Sequence, residues 1–521
     1  MIRTAGLADT FIYNLGVVSI GLGVGSILYY GPAFYPQGDL IWGCIIAGIA
    51  MALISFGFIT WTITLPRSGG IYVFGSRILP PALALTMSLV EITAWLFYCA
   101  IAAYWIVILA IAPMFAALNL LTGNETFLAI SKTMLEPWAT FLIGAAILVL
   151  SHVVLIYGMR FYLTINKWVF ILAMASTLLM IVTLALYSRE DFVAHLDALV
   201  GPTLGVTDAY NAIIASGKEK GWGEAGFDLW QTILVSNWPF LPLIGAAFSI
   251  AIGGEIKSVT KSQSFGMLGA VVTATVAMVV TVWLAFKVFG FEFLGTAVFN
   301  ALTANGGLTT PTDPSVALLT GILTESPLIT VLTSLGLALW MWMWIPAMHT
   351  FGVRAIVAWS FDRVAPAPLA KISETRHTPV VAITVTTIVN LIFMALFVYT
   401  PWFSKIVILI EAAVLAWSVV LGAGIFFPYL RPQLYEKSPL ANKTVFGLPI
   451  MSVACFFGFV AAQFYFWTLF SDPNAAGHDP TQVAIVAGVF VLGLVFYYVM
   501  KMIRQSQGVD VTLAFKEIPI E

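Results

Sequence analysis

Long hydrophobic stretches alternate with polar connections along almost the whole chain. A helix needs about 20 apolar residues to cross the hydrocarbon core of a bilayer, and twelve stretches approach or exceed that length. The pattern therefore predicts an all-α integral membrane protein with twelve transmembrane helices. The predicted spans are 11–33, 40–64, 82–112, 138–157, 161–187, 232–254, 265–289, 327–360, 379–399, 404–427, 446–470 and 482–502.

The first span contains a cluster of glycines at its middle. It reads FIYNLGVVSIGLGVGSILYYGPA, with glycine at 16, 21, 23 and 25, and each glycine costs a helix about 1 kcal/mol relative to alanine. One interpretation is that the helix unwinds there, which is tolerated at membrane depth only where the backbone is buried in protein or lines a cavity. The other interpretation is close packing of helices through small residues. The cluster alone does not decide between them.

The sixth span is interrupted as well. In SNWPFLPLIGAAFSIAIGGEIK, residues 236–257, Pro239, Pro242 and Gly245 fall close together, and proline both removes a backbone donor and clashes with the preceding turn. Spans one and six each open a set of five. Interrupted spans at corresponding positions of two halves are the best sequence indication of a binding site in a secondary transporter.

Composition and charge agree with a membrane protein and orient it. Sixty per cent of the residues are hydrophobic, only 9% are charged and the mean hydropathy is +0.98, whereas a soluble domain carries about 25% charged residues. With a cytoplasmic N-terminus, most of the 23 lysines and arginines lie on the inner side, which is the positive-inside pattern. We therefore expect a multi-pass plasma-membrane protein with both termini cytoplasmic and no cleaved signal peptide. The six outer cations are Lys132, Arg189, Lys218, Lys220, Lys287 and Lys405.

Several function classes find no support in the sequence. The three cysteines all lie in predicted spans and form no disulfide framework or metal-ligand spacing. The chain has no nucleotide-binding or hydrolase motif and no basic, aromatic-rich patch for nucleic acid. We therefore expect no enzyme activity, no cofactor, no metal and no nucleic-acid partner. The longest outer loop, 188–231, is charged and is expected to cap the outer face with a short helix.

Three inner loops resemble motifs of one transporter family. LPRSGGIYVFGSRIL (65–79) is similar to the P-x-S-G-G-x-Y-x-Y loop that follows span two of amino acid–polyamine–organocation permeases. GEIKSVTKSQS (254–264) is similar to their stretch after span six, with Ser258 and Val259 in place of Asn-Pro. FGVRAIVAWSFDRVAPAPLAKISETRHTPVVA (351–382) resembles their block after span eight, with matches at Arg354, Asp362, Pro366, Leu369, Ala370, Thr378 and Pro379.

The resemblance implies a leucine-transporter-type fold: two inverted repeats of five spans, at about 11–187 and 232–427, within a core of residues 1–430. Two further spans (431–504) and a cytoplasmic tail (505–521) follow. It also implies a secondary transporter that moves an amino acid by alternating access. The alternatives are a polyamine or other cationic amine as substrate, and a non-transporting sensor or complex subunit with this fold. The oligomeric state is not predicted.

The resemblance also suggests where the substrate binds. Unpaired N–H groups of Gly23, Val24, Gly25 and Ser26 are expected to hold a carboxylate, because the N-terminal end of a helix is positive. The family's G-[SA]-G motif fits Gly21-Leu22-Gly23 or Gly23-Val24-Gly25, and the second register is preferred. The carbonyls of Gly245, Ala246 and Ala247 are expected to take the substrate's ammonium group. Phe240 is a candidate aromatic gate over the pocket.

Two acidic residues lie within spans, where a charge is costly and therefore a functional hypothesis by default. Glu91, about ten residues into span three, is a candidate proton relay or cation partner, and a structural role is equally compatible with the sequence. Glu411, nearer the outer end of span ten, is a candidate vestibule or structural residue and, with Glu91, a possible proton or cation site. His152 and His349 are expected to be packed, hydrogen-bonded histidines.

The coupling ion is not evident from the resemblance. Where sodium-coupled relatives place span-eight hydroxyls, this chain has Met343-Trp344, and Thr350 lies further along. Where other relatives place a span-five lysine, it has Ala173 and not Lys167. Proton coupling through Glu91, or uncoupled exchange, is therefore the expectation. Of Trp340, Trp342 and Trp344, at most one is expected to meet substrate.

Overall fold

The computed structural model describes residues 3–303, 307–400, 403, 409–474, 480–511 and 515. Within these ranges, twelve helical segments are long and apolar enough to cross a membrane, so the predicted number of spans is confirmed. The start of predicted span ten (404–408), with Lys405, lies outside the described residues. In order, the spans are Leu7–Phe34, Leu40–Thr64, Pro81–Thr122, Pro137–Ile156, Met159–Leu186, Leu229–Ala251, Val259–Val288, Pro327–Phe361, Val380–Tyr399, Leu409–Leu430, Ile450–Ser471 and Pro480–Ser506.

Shorter elements connect the spans. The loop 188–231 holds two helices, Arg189–Leu204 and Ala209–Glu219, and the first begins with a reciprocal cap between Ser188 and Asp191. A small antiparallel hairpin pairs Thr444–Val445 with Leu448–Pro449 before span eleven. The other short helices are Ile71–Gly75, Glu125–Leu135, Gly253–Glu255, Phe291–Leu302, Val316–Thr324, Ala367–Ala370 and Pro432–Tyr435.

Three spans are not single α-helices. Span one consists of Leu7–Val18 and Ile20–Phe34, and span six of Leu229–Val235, Asn237–Leu243 and a 3-10 segment, Ile244–Ala251. Span three changes to a π-helix at Ile106–Ile111 before continuing as Ala112–Thr122. Pro113 explains the π turn, because proline cannot donate the i→i−4 hydrogen bond that would keep the helix regular.

The interrupted spans lie in the core of the molecule. In spans one and six, 72% and 83% of the most apolar window is buried, against 22% in span five and 11% in span twelve. Span one packs against spans five, six, seven and eight. Irregular backbone is therefore surrounded by protein, as the membrane requires. The inverted repeat and the domain boundaries remain predictions.

Candidate functional site

Span one breaks at Ser19. This residue adopts a left-handed conformation (φ 53°, ψ 71°) that ends the first helix at Val18 and begins the second at Ile20. The first N–H groups of a helix have no partner within it, and here the first intrahelical bond runs from the Gly23 N–H to the Ser19 carbonyl at 2.9 Å. Ser19 is fully buried, and its hydroxyl has no hydrogen-bond partner among the described residues. The break thus leaves several donors close together in the core.

The position of this break corrects the sequence-based prediction. Gly23, Val24, Gly25 and Ser26 lie inside the second helix, so their N–H groups are not the ones that the break frees; those belong to Ile20, Gly21 and Leu22. The preferred register, Gly23-Val24-Gly25, is therefore further from the break than Gly21-Leu22-Gly23. The physical reason is that tertiary packing outweighs the low helix propensity of glycine.

Two of the glycines serve close packing. A Cβ on Gly21 would lie 2.7 Å from the Trp340 ring, and one on Gly23 would meet Met278 and lie 3.2 Å from Pro242. The cluster therefore combines both interpretations: the helix breaks beside it, and part of it allows neighbouring side chains to approach.

Gly25 differs from Gly21 and Gly23 because a side chain at this position would face open space. No atom lies within 4 Å of the position that a Cβ would occupy, and the residue is partly exposed. One turn further along the same face, the Tyr29 hydroxyl donates to Asp313 Oδ1 at 2.7 Å. Tyr30 stacks on Trp238 with ring centroids 4.2 Å apart. Span one therefore faces open space at Gly25, and one turn further along it contacts aromatic and loop residues.

The interruption of span six is confirmed, and it meets the break of span one. Regular α-helix ends at Leu243, just after Pro242, and Gly245, Ala246 and Ala247 lie in the buried 3-10 segment that follows. A Cβ on Gly245 would lie 2.5 Å from the Val17 carbonyl oxygen and from the Val18 nitrogen. The two irregular backbones are thus in direct contact, and binding by the Gly245–Ala247 carbonyls remains a prediction.

Span eight contacts span one at three positions. The Tyr13 hydroxyl donates to the Ala347 carbonyl at 3.4 Å, Met343 contacts Gly16, and Trp340 lies against Gly21. The Trp340 indole is itself fixed by Thr177 of span five at 2.9 Å. Of the three span-eight tryptophans, Trp340 is the one beside the freed donors of span one.

Glu91 lies in an aromatic environment without a counter-charge. It is fully buried, and the Trp417 indole donates to its Oε1 at 2.6 Å. Trp95, at 5.9 Å from the Trp417 ring, joins it to a further aromatic cluster. No ion pair among the described residues involves Glu91. Its Oε2 faces Gly70, in the loop that follows span two.

A second buried acidic group lies at the other membrane face. Glu411 is only 4% exposed, and it lies within the electrostatic influence of Asp472 at the end of span eleven. Asp472 accepts hydrogen bonds from the Tyr35 hydroxyl at 2.5 Å and the Asn237 amide at 3.0 Å. Sequence reasoning missed Asp472, because it follows a span and belongs to no recognised motif.

The proposed gate at Phe240 requires correction. Its ring is fully buried and stacks on Tyr465 of span eleven, with centroids 3.6 Å apart and planes at 5°. This contact holds the ring in a packed interface with span eleven and does not leave it over an open pocket. The large aromatic surface explains the result, since a stacked pair is stabilised in addition to its burial.

Two buried ion pairs connect the three loops that resemble the permease motifs. Arg354 Nη2 lies 2.7 Å from Glu255 Oε1, and Arg77 Nη1 lies 3.1 Å from Asp362 Oδ2. The Tyr72 hydroxyl also donates to Asp362, at 2.9 Å. All these residues lie on the face where span one begins, called the N-terminal face below. Their signal was present in the sequence as motif residues, but which cation pairs with which acid was not.

The N-terminal segment is tied to this same network. The N–H groups of Thr4 and Ala5 donate to the Glu255 carbonyl at 2.9 and 3.0 Å. Burial raises the pKa of the Glu255 carboxyl, and the adjacent Arg354 guanidinium opposes that shift. The chain before span one is therefore held against the end of span six by backbone hydrogen bonds.

The other predicted polar residues have structural partners. His349 Nε2 lies 2.8 Å from Thr386 Oγ1, and His152 Nδ1 lies 2.8 Å from Thr387 Oγ1. Both histidines are thus hydrogen-bonded as predicted. Lys167 forms an ion pair with Asp9 at 2.7 Å, and Ala173 is fully buried.

Comparison with known proteins gives one family. A family model described as "Amino acid permease" matches residues 10–496, nearly the whole chain. A comparison with curated proteins gives no significant match.

Proposed function

Because the chain belongs to the amino acid permease family, and is therefore a membrane transporter and not an enzyme, we propose that it carries an amino acid across the plasma membrane by alternating access. The observation that supports this most is the contact between Gly245 and the Val17–Val18 backbone, which brings the two interrupted spans together in the buried core. Paired helix breaks of this kind form the substrate sites of secondary transporters.

The substrate carboxylate binds at the break of span one. The N–H groups of Ile20, Gly21 and Leu22 begin a helix of 15 residues, whose N-terminal end carries partial positive charge. The unpartnered hydroxyl of Ser19 adds a fourth donor. A carboxylate satisfies all of these buried donors, which would otherwise cost free energy.

The substrate ammonium binds opposite, at the 3-10 segment of span six. Carbonyls in a 3-10 turn make less well aligned hydrogen bonds than those of an α-helix, and each keeps a second lone pair. Gly245, Ala246 and Ala247 therefore offer acceptors without a charged side chain. Such a site suits a zwitterion, and the open side of Gly25 then receives part of the substrate.

We infer that the N-terminal face is closed in this conformation. The ion pairs Arg354–Glu255 and Arg77–Asp362, with the backbone bonds to Glu255, hold the inner ends of spans one, six and eight together. Opening to that side requires these contacts to separate, which is the second half of an alternating-access cycle.

Proton coupling is proposed to run through Glu91. A buried carboxylate with a hydrogen bond from Trp417 and no cationic partner can change its protonation state during transport. The thioether of Met343 occupies the side of Gly16 facing span eight, and thioethers are soft ligands that suit sodium poorly. Exchange without a coupled ion is the alternative.

A cationic amine is the second candidate substrate. Glu91, Glu411 and Asp472 are buried acids without an ion pair among the described residues, and an amine with a second positive charge would compensate one of them. Competition by putrescine, but not by zwitterionic amino acids, would favour this reading.

The test is uptake of a labelled panel of amino acids and amines into proteoliposomes, with and without a pH or sodium gradient. The proposal expects saturable uptake of an amino acid that a pH gradient drives or an internal amino acid accelerates. Ligand-induced thermal stabilisation without flux would instead indicate a sensor.

A further inference from the structure

A cavity at the N-terminal face lies away from the proposed substrate site. It has a volume of about 440 Å³ and lies between the loop after span two, the end of span ten and the end of span twelve. Its lining residues are Ser76, Leu79, Pro80, Pro81, Ala82, Arg431, Tyr497, Tyr498, Lys501 and Phe515.

The charged residues among the described lining of this cavity all have one sign. Arg431 and Lys501 line it, and no acidic residue is among its described lining residues. Neither cation forms an ion pair within the described part of the chain. The nearby Arg77 is already neutralised by Asp362. Asp510, in the tail, acts electrostatically on Tyr497 but does not line the cavity.

The walls are built from both polar and apolar groups. Tyr497 is only 4% exposed, whereas Tyr498 is 54% exposed beside it. Tyrosine is enriched at the membrane–water interface, because its ring is apolar and its hydroxyl is wet. Span twelve is held in place at this level by Arg504, which donates to the carbonyls of Arg363 and Ala365, each at 2.9 Å.

Exposed apolar residues adjoin the cavity on the side of the spans. Leu430, next to Arg431, is 64% exposed, and Val499, two residues before Lys501 in span twelve, is 41% exposed. A ligand with an anionic head at the two cations and an apolar body along these side chains fits this arrangement. Basic pockets between transmembrane helices bind anionic lipid headgroups, and arginine and lysine are the side chains that bind phosphate.

We propose that this cavity binds the phosphodiester headgroup of an anionic phospholipid, with Arg431 and Lys501 at the phosphate and the tyrosine pair at the interface. The acyl chains lie against the exposed sides of spans ten and twelve. The lipid thus lies between the end of span ten and the end of span twelve.

The test titrates phosphatidylglycerol onto the purified full chain and counts bound lipids by native mass spectrometry. The Arg431→Gln/Lys501→Gln variant is compared with Lys371→Gln/Lys443→Gln, which removes two exposed cations that do not line the cavity. We expect about a thirtyfold loss of apparent affinity in the first variant, the size that two basic residues near a membrane surface give. The control variant should bind like the wild type.

Two further measurements distinguish an anionic phospholipid from other molecules that carry a phosphate group. Phosphatidylcholine should bind weakly, and inorganic phosphate at the same concentration should not displace phosphatidylglycerol. Equal binding by the two double variants, equal binding of phosphatidylcholine, or displacement by inorganic phosphate would overturn the proposal. The melting temperature of each variant without added lipid shows whether it folds. For the wild-type protein, the binding of phosphatidylglycerol should also weaken as the salt concentration rises, because salt screens the attraction between charges.

Discussion

Gly245 lies against the backbone of Val17, so closely that a Cβ on the glycine would stand 2.5 Å from the Val17 carbonyl oxygen. The contact joins the 3-10 segment of span six to the last turn before the break at Ser19. Backbone atoms cannot rotate away as a flexible side chain can. Only glycine therefore permits the two interruptions to meet.

Replacing this glycine should separate the two spans. Gly245→Ala places a methyl group into the Val17 backbone, and overpacking of this kind typically costs about 1–3 kcal/mol. We expect a lower melting temperature and a large loss of uptake. Gly488→Ala in span twelve is the control, because nothing lies within 4 Å of its Cβ position. Equal melting and uptake of the two variants would refute the close contact.

The buried pair Arg354–Glu255 should matter more than an exposed pair. Removing one partner of a buried ion pair typically costs about 3–5 kcal/mol, so Arg354→Gln should lower the free energy of unfolding by this order. Lys167→Gln breaks the pair with Asp9, in which the lysine side chain is 46% exposed, and such pairs contribute about 0–1 kcal/mol. Thermal or denaturant unfolding measures the loss of stability in each variant. Similar small losses in both variants would argue against a stabilising role of the Arg354–Glu255 pair at the N-terminal face.

Glu91→Gln tests the proposed proton relay. The amide keeps the size of the side chain and an acceptor for the Trp417 indole, but it cannot exchange a proton. We expect the variant to lose uptake driven by a pH gradient while it retains exchange of internal for external substrate. Glu411→Gln, at the opposite face, should retain both activities. Unchanged pH-driven uptake in Glu91→Gln would exclude this role.

The burial of the Asp313 carboxyl should make stability depend on pH. Burial raises the pKa of the Asp313 carboxyl above its ordinary value of 3.8, although the Tyr29 hydrogen bond opposes the shift. The folded state therefore favours the protonated acid, and its contribution to stability decreases as the pH rises from about 3.8 through the raised pKa. Asp313→Asn removes this contribution, so the stability of the variant relative to the wild type should rise over the same interval. The measurement is the melting temperature of the wild type and of Asp313→Asn from pH 4 to 7. Parallel curves for the two proteins would contradict the prediction.

The fold was largely predictable because it depends on length and hydrophobicity. Twelve apolar stretches predict twelve spans, and the interruption of span six is visible in Pro242 and Gly245, whose effects on a helix are local. The change to a π-helix in span three was not predicted. Its cause, Pro113, lies near the predicted end of that span, where proline is unremarkable.

The site was predictable only in outline. The glycine cluster, together with the interrupted span six and the three loops, indicated a broken helix, but the break occurs at Ser19. Gly21 and Gly23 instead pack against Trp340 and Met278, which are distant in sequence and leave no local signal. Phe240 illustrates the same limit. Its partner Tyr465 lies five spans later, and no local pattern reports a contact over that distance.

The central claim is that the substrate occupies the space beside span one, and Gly25 offers the most direct test. Gly25→Leu fills open space without meeting any neighbouring atom within 4 Å of the new Cβ, and Gly488→Leu makes the same change at an equally open position of span twelve. Both variants should fold and melt like the wild type. In proteoliposomes, we predict that Gly25→Leu abolishes saturable amino-acid uptake and that Gly488→Leu preserves it. Wild-type uptake by a correctly folded Gly25→Leu protein would contradict the account.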